Sequence, residues 1–163
     1  MGCSTAFHLL CADEKLSVAI IEPDPTYARA SSALSLANVR IQFSLLENIR
    51  ISQHTFKVLE TFDADMEVDG QGPNINFRSE GNLFLAGAEA QASAKQGLAL
   101  QQAQGCSIAW WSPAEIKTHY PLYDTAVIAG GTFGSQDGHL DAFQFLMGYR
   151  SKAKSLGAAF IQD

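Results

Sequence analysis

Gly2-Cys3-Ser4-Thr5-Ala6-Phe7-His8-Leu9-Leu10, then Asp13-Glu14-Lys15, then Ser17-Val18-Ala19-Ile20-Ile21-Glu22, is the stretch whose reading decides the fold. It predicts a helix that opens on a glycine, a short break, and an apolar β-rich strand ending in an acid. In a complete strand–helix–strand dinucleotide-binding unit, a first strand and G-x-G-x-x precede such a helix, and the last glycine of the fingerprint opens it. An acidic residue about twenty positions further on closes the second strand and binds the ribose hydroxyls. Gly2 and Glu22 have that spacing. The first strand and the two phosphate-facing glycines are not in the sequence. The stretch therefore reads as the back half of such a unit, and the remainder of the chain decides whether the likeness carries meaning.

With 163 residues, the sequence has room for one full domain or for pieces of two. An apolar fraction of 47% beside 17% charged residues is that of a folded globular chain. The net charge of −6, with eleven scattered basic residues, argues against nucleic acid, because phosphate neutralisation needs clustered Lys and Arg. No apolar stretch reaches the roughly 18 residues of a membrane span. No basic segment precedes an apolar core at the N-terminus, so no signal peptide is expected. Cys3, Cys11 and Cys106 are odd in number and lack C-x-x-C spacing, which points to reduced thiols and a cytoplasmic setting.

Along the chain, the pattern predicts a helix over about 2–12 and a strand from Ser17 to Ile21. The continuous apolar run of that strand is the pattern of a parallel strand buried on both faces. Pro23 and Pro25 stop it, and Ala28 to Asn38 is a small-residue segment that reads as backbone closely approaching something else. An amphipathic helix follows over 48–62. Asp69-Gly70-Gln71-Gly72-Pro73 is a turn cluster, and Ile75-Asn76-Phe77 with Asn82-Leu83-Phe84-Leu85 reads as a β-hairpin around Arg78-Ser79-Glu80-Gly81. Then come a helix over 89–104, a strand over 107–110, and a short helix opened by Ser112-Pro113-Ala114-Glu115, a capping box with Pro at the first helical position. A strand over 128–133, a helix over 141–155 capped by Asp141, and a strand over 158–161 complete the order. Neither internal repeats nor low-complexity segments occur.

Four stretches in this order resemble the FAD-dependent amine oxidoreductases of the D-amino-acid oxidase and sarcosine oxidase superfamily, the FAD-dependent oxidoreductase-domain proteins. Gly2 through Glu22 is similar to that family's adenine-binding half-unit. Ala30-Ser31-Ser32-Ala33-Leu34-Ser35 through Val39-Arg40-Ile41-Gln42-Phe43 is similar to its small-residue loop, which passes the flavin and ends in arginine. Glu80-Gly81-Asn82-Leu83-Phe84-Leu85-Ala86 resembles the strand that opens its substrate domain. Asp137-Gly138-His139-Leu140-Asp141, with the helix to Gly157-Ala158, resembles the return to the cofactor domain. Asn38 departs from the pattern, since relatives commonly have a glycine there. The family's first strand, leading glycines and C-terminal half have no counterpart, so the resemblance implies a piece truncated at both ends.

The resemblance implies an α/β and α+β fold: a partial Rossmann-like FAD-binding domain lacking its first strand, over residues 1–70, and a partial substrate domain with a mixed or antiparallel sheet and helices, over 71–136. Residues 137–163 return to the FAD domain as helix and strand. FAD is the implied cofactor. The implied reaction oxidises a small-molecule amine or amino acid by hydride transfer to flavin, giving an imine, with oxygen or an electron carrier as acceptor.

Glu22 would accept hydrogen bonds from the adenosine ribose, against the plainer reading of an exposed acid closing a strand. Gly2 would let a helix N-terminus approach the pyrophosphate, or is a glycine without a task. Ser31, Ser32 and Ser35 would bond phosphate or flavin, or form a solvated turn. Arg40 would hold reduced flavin or a substrate carboxylate, and so is the one catalytic candidate; its rival is a surface salt bridge. His8, His54, His119 and His139 lack metal-ligand spacing, so no metal site is expected. Gly130-Gly131-Thr132-Phe133-Gly134 lacks the Lys-Ser/Thr ending of a phosphate-binding loop. Two other functional classes remain: a catalytically inactive stand-alone or interaction fragment of the same fold, and an NAD-dependent dehydrogenase. Against the latter, a serine loop and a hairpin follow the acid where further strand–helix repeats would be expected.

Overall fold

The computed structural model describes residues 1–162. In chain order these form α1 (Gly2–Ala12), β1 (Ala19–Ile21), β2 (Asn38–Val39), α2 (Leu46–Asp65), β3 (Asn82–Ala86), α3 (Gln91–Ala103), β4 (Ile108–Trp111), α4 (Pro113–His119), β5 (Gly130–Gly134), β6 (Gly138–His139), α5 (Ala142–Ser155) and β7 (Ala159–Ile161). Two compact units result. One comprises residues 1–37, 58–77 and 140–163, and the other 38–57 and 78–139. They interleave along the sequence, where the expected blocks were 1–70 and 71–136, with 137–163 returning to the first. Residues 38–57 fall in the second unit because Ile41 and Ile49 pack with Leu98, Cys106 and Ile108.

In the first unit, β1 pairs in parallel with β7, Ala19 opposite Ala159 and Ile21 opposite Ile161. Ala6 and Leu10 of α1 and Ala153 of α5 are buried with Ala158, and Phe7, Val18, Ile20 and Phe160 pack around them. Alanines at this contact keep both helices close to the strand pair. Phe62 near the end of α2 stacks on Phe145, ring centroids 4.4 Å apart, and meets Tyr149 edge-on at 5.0 Å. The strand expected to be buried on both faces is covered on one. Ile20 turns inward, whereas Ile21 is 67% exposed. Side chains alternate across a strand, and among the described residues no element covers the second face.

The second unit has a three-stranded antiparallel sheet in the order β3-β5-β4, and the antiparallel pair β2-β6. Parallel pairing in one unit and antiparallel pairing in the other bears out the expected mix of α/β and α+β architecture. Helix α4 begins with the predicted capping box. The Ser112 hydroxyl accepts from Glu115 N–H, and the Glu115 carboxylate accepts from Ser112 N–H at 2.7 Å. Asp141 caps α5 as expected, its carboxylate accepting from Gln144 N–H at 2.9 Å.

The expected hairpin does not form. Strand β3 pairs with β5, from Asn82 opposite Gly134 to Ala86 opposite Gly130. Asn74 and Asn76 adopt positive φ, which breaks the extended run of Ile75-Asn76-Phe77. Ile75 instead donates its N–H to Asp63 and accepts from Asp141 N–H. Arg78 exchanges backbone hydrogen bonds with His139, and Gly138 lies so close that a Cβ there would run into the Arg78 carbonyl. Backbone cannot yield as a flexible side chain does. Gly138→Ala should therefore lower stability by roughly 2–3 kcal/mol, read from urea denaturation; an unchanged midpoint would show that this approach is not required.

Candidate functional site

The chain from Glu22 to Ala37 winds in tight turns around the N-terminal end of α1. Glu22 N–H donates to Ile161 C=O at 2.9 Å, which fixes the acid at the end of the parallel pair. One carboxylate oxygen of Glu22 accepts from Asp24 N–H at 3.1 Å. Asp24 accepts in turn from Thr26 N–H and Ala28 N–H, and its hydrogen bonds to the Thr26 hydroxyl and backbone hold its carboxyl below the ordinary value. Tyr27, in the left-handed region with φ of 57°, turns its ring inward. It is buried, and its hydroxyl lies 3.8 Å from Cys3 Sγ. A left-handed conformation at a bulky residue costs about 1–3 kcal/mol and persists only where its surroundings impose it.

These turns leave a cavity of about 400 Å³ lined by Gly2, Cys3, Glu22, Tyr27, Ser31 and Ser32, among others. Four of the six residues singled out in the sequence thus meet around one space. Helix α1 has no side-chain cap and no acidic residue in its first turn, so its leading N–H groups are available to an anion. A Cβ on Gly2 would meet only Ile20, at 3.9 Å. Nothing in the protein itself requires glycine there; the space it leaves open is the cavity's. The second oxygen of Glu22 accepts no hydrogen bond among the described residues. A free carboxylate oxygen beside unpaired helix N–H groups can take a diol on one side and a phosphate on the other.

The other two candidates are not among the residues that line this cavity. Ser35 is exposed, and its hydroxyl accepts from Ala37 N–H at 2.9 Å, closing a local turn. Arg40 belongs to the second unit, with its guanidinium over the Phe43 ring at 4.8 Å and the Phe84 ring at 5.3 Å. It faces no carboxylate at salt-bridge distance among the described residues, where the bridges are Arg78–Glu80 and His139–Glu80. Arg40 borders a cavity of about 310 Å³ together with Gln42, Phe84, Gln101 and Thr132.

Sequence reasoning missed the group that fixes this segment. Asp137 is fully buried and accepts from Ile41 N–H at 2.9 Å, Gln42 Nε2 at 3.1 Å and Asn82 Nδ2 at 3.3 Å. The only local signal was the Asp-Gly pair, which marks a turn as readily as a buried acceptor. Among the described residues no cluster of three or more His, Cys, Asp or Glu is placed to hold a metal ion. None of their helices is long and apolar enough to cross a membrane.

A family model, that of the FAD dependent oxidoreductases, matches residues 1–163. The chain belongs to this FAD-dependent oxidoreductase family. Among curated proteins, FAD-dependent oxidoreductase domain-containing protein 1 of Bos taurus is 30% identical over 167 residues, covering 99% of this chain and 34% of that protein. Its Xenopus laevis counterpart is 32% identical over 162 residues, covering 96% and 32%. The chain therefore spans about a third of the length of these relatives. Among solved structures, L-proline dehydrogenase from P. horikoshii aligns over 98% of this chain and 40% of its own, with a TM-score of 0.82 and 22% identity. Glycine oxidase from Geobacillus kaustophilus aligns over 99% and 43%, with a TM-score of 0.79 and 21% identity. At such identities the structures establish the fold. The family's cofactor is FAD.

Burial pushes the Asp137 carboxyl above its ordinary 3.8, against the pull of its Gln42, Ile41 and Asn82 donors and of the Arg40 charge. A carboxyl that binds its proton more tightly in the folded state gives stability that is full below the unfolded value and lost as pH rises through the folded one. The urea midpoint should carry a component that declines as pH rises above 3.8. Asp137→Asn, which cannot ionise, should lack that component and be less stable throughout, because its amide would face the Gln42 and Asn82 donors. Identical pH slopes for the two proteins would remove Asp137 as its source.

Proposed function

We propose that the first-unit cavity holds the ribose and pyrophosphate of FAD and that the whole protein oxidises an amine or amino acid. The observation that carries this reading is the meeting of Gly2, Glu22, Ser31 and Ser32 around one space at an uncapped helix N-terminus. The free Glu22 oxygen takes the ribose hydroxyls, as an acceptor-only group suits a diol. The first N–H groups of α1 take the pyrophosphate, and Gly2 keeps that approach open. Ser31 and Ser32 add hydroxyl donors to the same charge. Tyr27 and the Cys3 side chain close the cavity's inner wall.

When bound, FAD supplies a hydride acceptor for the carbon beside an amine nitrogen, leaving an imine that water hydrolyses. In the second unit, Arg40 meets a substrate carboxylate, its guanidinium seated on two aromatic rings and in no salt bridge among the described residues. The names of the structural relatives, a proline dehydrogenase and a glycine oxidase, support an amino-acid substrate. Oxygen or an electron carrier would take the electrons onward. Three free thiols, two of them buried, fit a reducing compartment such as the cytoplasm.

The reading predicts that Glu22→Gln weakens FAD binding about tenfold or more, since hydrogen bonds to a charged acceptor are the stronger kind. Ser35→Ala, whose hydroxyl serves a local turn, should leave it unchanged. Titration of flavin fluorescence measures both. Equal FAD affinity for Glu22→Gln and the unmutated chain, or no FAD binding by the latter, would overturn the cavity assignment.

A further inference from the structure

The β2–β6 pair sets Asn38 opposite His139, and their side chains meet as well. Asn38 Nδ2 stands 2.9 Å from Asn82 Oδ1, 3.2 Å from the Gly138 carbonyl and 3.3 Å from His139 Nε2. The amides cannot be turned round. Asn38 Oδ1 accepts from Asn82 Nδ2 at 3.0 Å, and Asn82 Nδ2 also donates to the Asp137 carboxylate at 3.3 Å. Reversing either amide, or both, would set oxygen against oxygen. His139 Nε2 therefore faces a donor and has to accept. On the other side of the ring, Nδ1 is shielded from solvent, has no hydrogen-bond partner, and lies 3.7 Å from the Glu80 carboxylate. Which nitrogen of a neutral histidine carries the proton is set by what the other one meets. Both neighbours here select the same form, with the proton on Nδ1 and the lone pair on Nε2.

A second proton on the ring breaks one of these contacts and strengthens the other. An imidazolium donates from both nitrogens, so its Nε2–H would point at the Asn38 amide, donor against donor. Its Nδ1–H would carry charge toward Glu80, across a gap that about 1 Å of movement closes to a hydrogen bond. Asn38 can spare the ring, because its two amide protons still have Asn82 Oδ1 and the Gly138 carbonyl. Of the other charged groups nearby, Arg78 holds the second Glu80 oxygen at 3.6 Å and is the one that works against an imidazolium. Asp137 turns its carboxylate to Ile41, Gln42 and Asn82, and Asp141 accepts from Gln144 N–H. We propose that His139 is a proton-operated latch. Neutral, it ties β6 to the Asn38–Asn82 pair; protonated, it lets go of Asn38 and closes on Glu80. The tie adds to a pairing of only two residues on each strand, just ahead of Arg40. The latch needs neither FAD nor substrate, and stands apart from the function proposed above.

NMR of the imidazole nitrogens in the unmutated chain reads the latch directly. While the ring is neutral, the Nδ1–H tautomer should exceed the Nε2–H tautomer by about tenfold, the worth of one good hydrogen bond. A nuclear Overhauser contact should then join the Asn38 amide protons to the ring protons that flank Nε2. As pH is lowered through the titration of His139, that contact should be lost, while the contact between the Asn38 and Asn82 amides persists. Equal tautomers, an excess of Nε2–H, or a ring contact to Asn38 that survives protonation would overturn the proposal. These measurements need no variant, so a misfolded mutant does not blunt them. In Asn38→Ala the tautomer excess should fall several-fold; an unchanged excess would assign it to Glu80 alone and sink the latch. FAD titration of the same samples keeps the two readings apart, since a failed latch with intact FAD binding leaves the cofactor cavity standing, and the reverse result leaves the latch.

Discussion

A single buried carboxylate ties the second unit together. Asp137 has no solvent exposure, yet it draws N–H groups from the segment after β2 and from β3, the first of them 96 positions away in the chain. Hydrogen-bonded carboxylates are tolerated in an interior because their acceptor capacity is filled; the same group without its donors would be expelled or protonated. Around it, Asn82 and Asn38 exchange a pair of amide hydrogen bonds at 2.9 and 3.0 Å, and Asn38 also reaches the Gly138 carbonyl. Glycines flank the acid for want of room: a Cβ on Gly134 would come within 2.9 Å of the Asp137 carboxylate. The course of the backbone through Arg40 and Gln42 is thus set by a polar knot together with the packing of Ile41 against Ile49, Leu98, Cys106 and Ile108.

The first unit is organised differently. Its centre is apolar and made of small side chains, and what it presents to the cavity is mostly backbone geometry. Alanines on α1 and α5 bring the helices down onto the parallel pair. The helix start, the strand end at Glu22 and the Tyr27 turn then converge without any long side chain having to reach.

Much of this was legible beforehand, and the reason is locality. Helix α1, strand β1 and the acid that ends it follow from periodicity and from a spacing of twenty residues. The capping box at Ser112 and the Asp141 cap need only a few neighbouring residues to be recognised. Gly2, Glu22, Ser31 and Ser32 could be named because all lie within one short supersecondary unit whose geometry is nearly fixed. Ser35 belongs to the same run of sequence, yet it does not line that cavity, because its hydroxyl closes a local turn with Ala37.

What the sequence determined alone is therefore the set of local elements, each specified by contacts within a few turns of chain. Tertiary structure decided the rest. Strand β3 takes β5 as its partner instead of its sequence neighbour, because positive φ at Asn74 and Asn76 denies that neighbour an extended backbone. Asp137 became a buried acceptor, and His139 a partner of Asn38, only when distant segments brought their donors and acceptors together. A hydrogen bond between residues so far apart leaves no periodic or spacing signal in the sequence, since the geometry that makes it possible is the product of the whole fold.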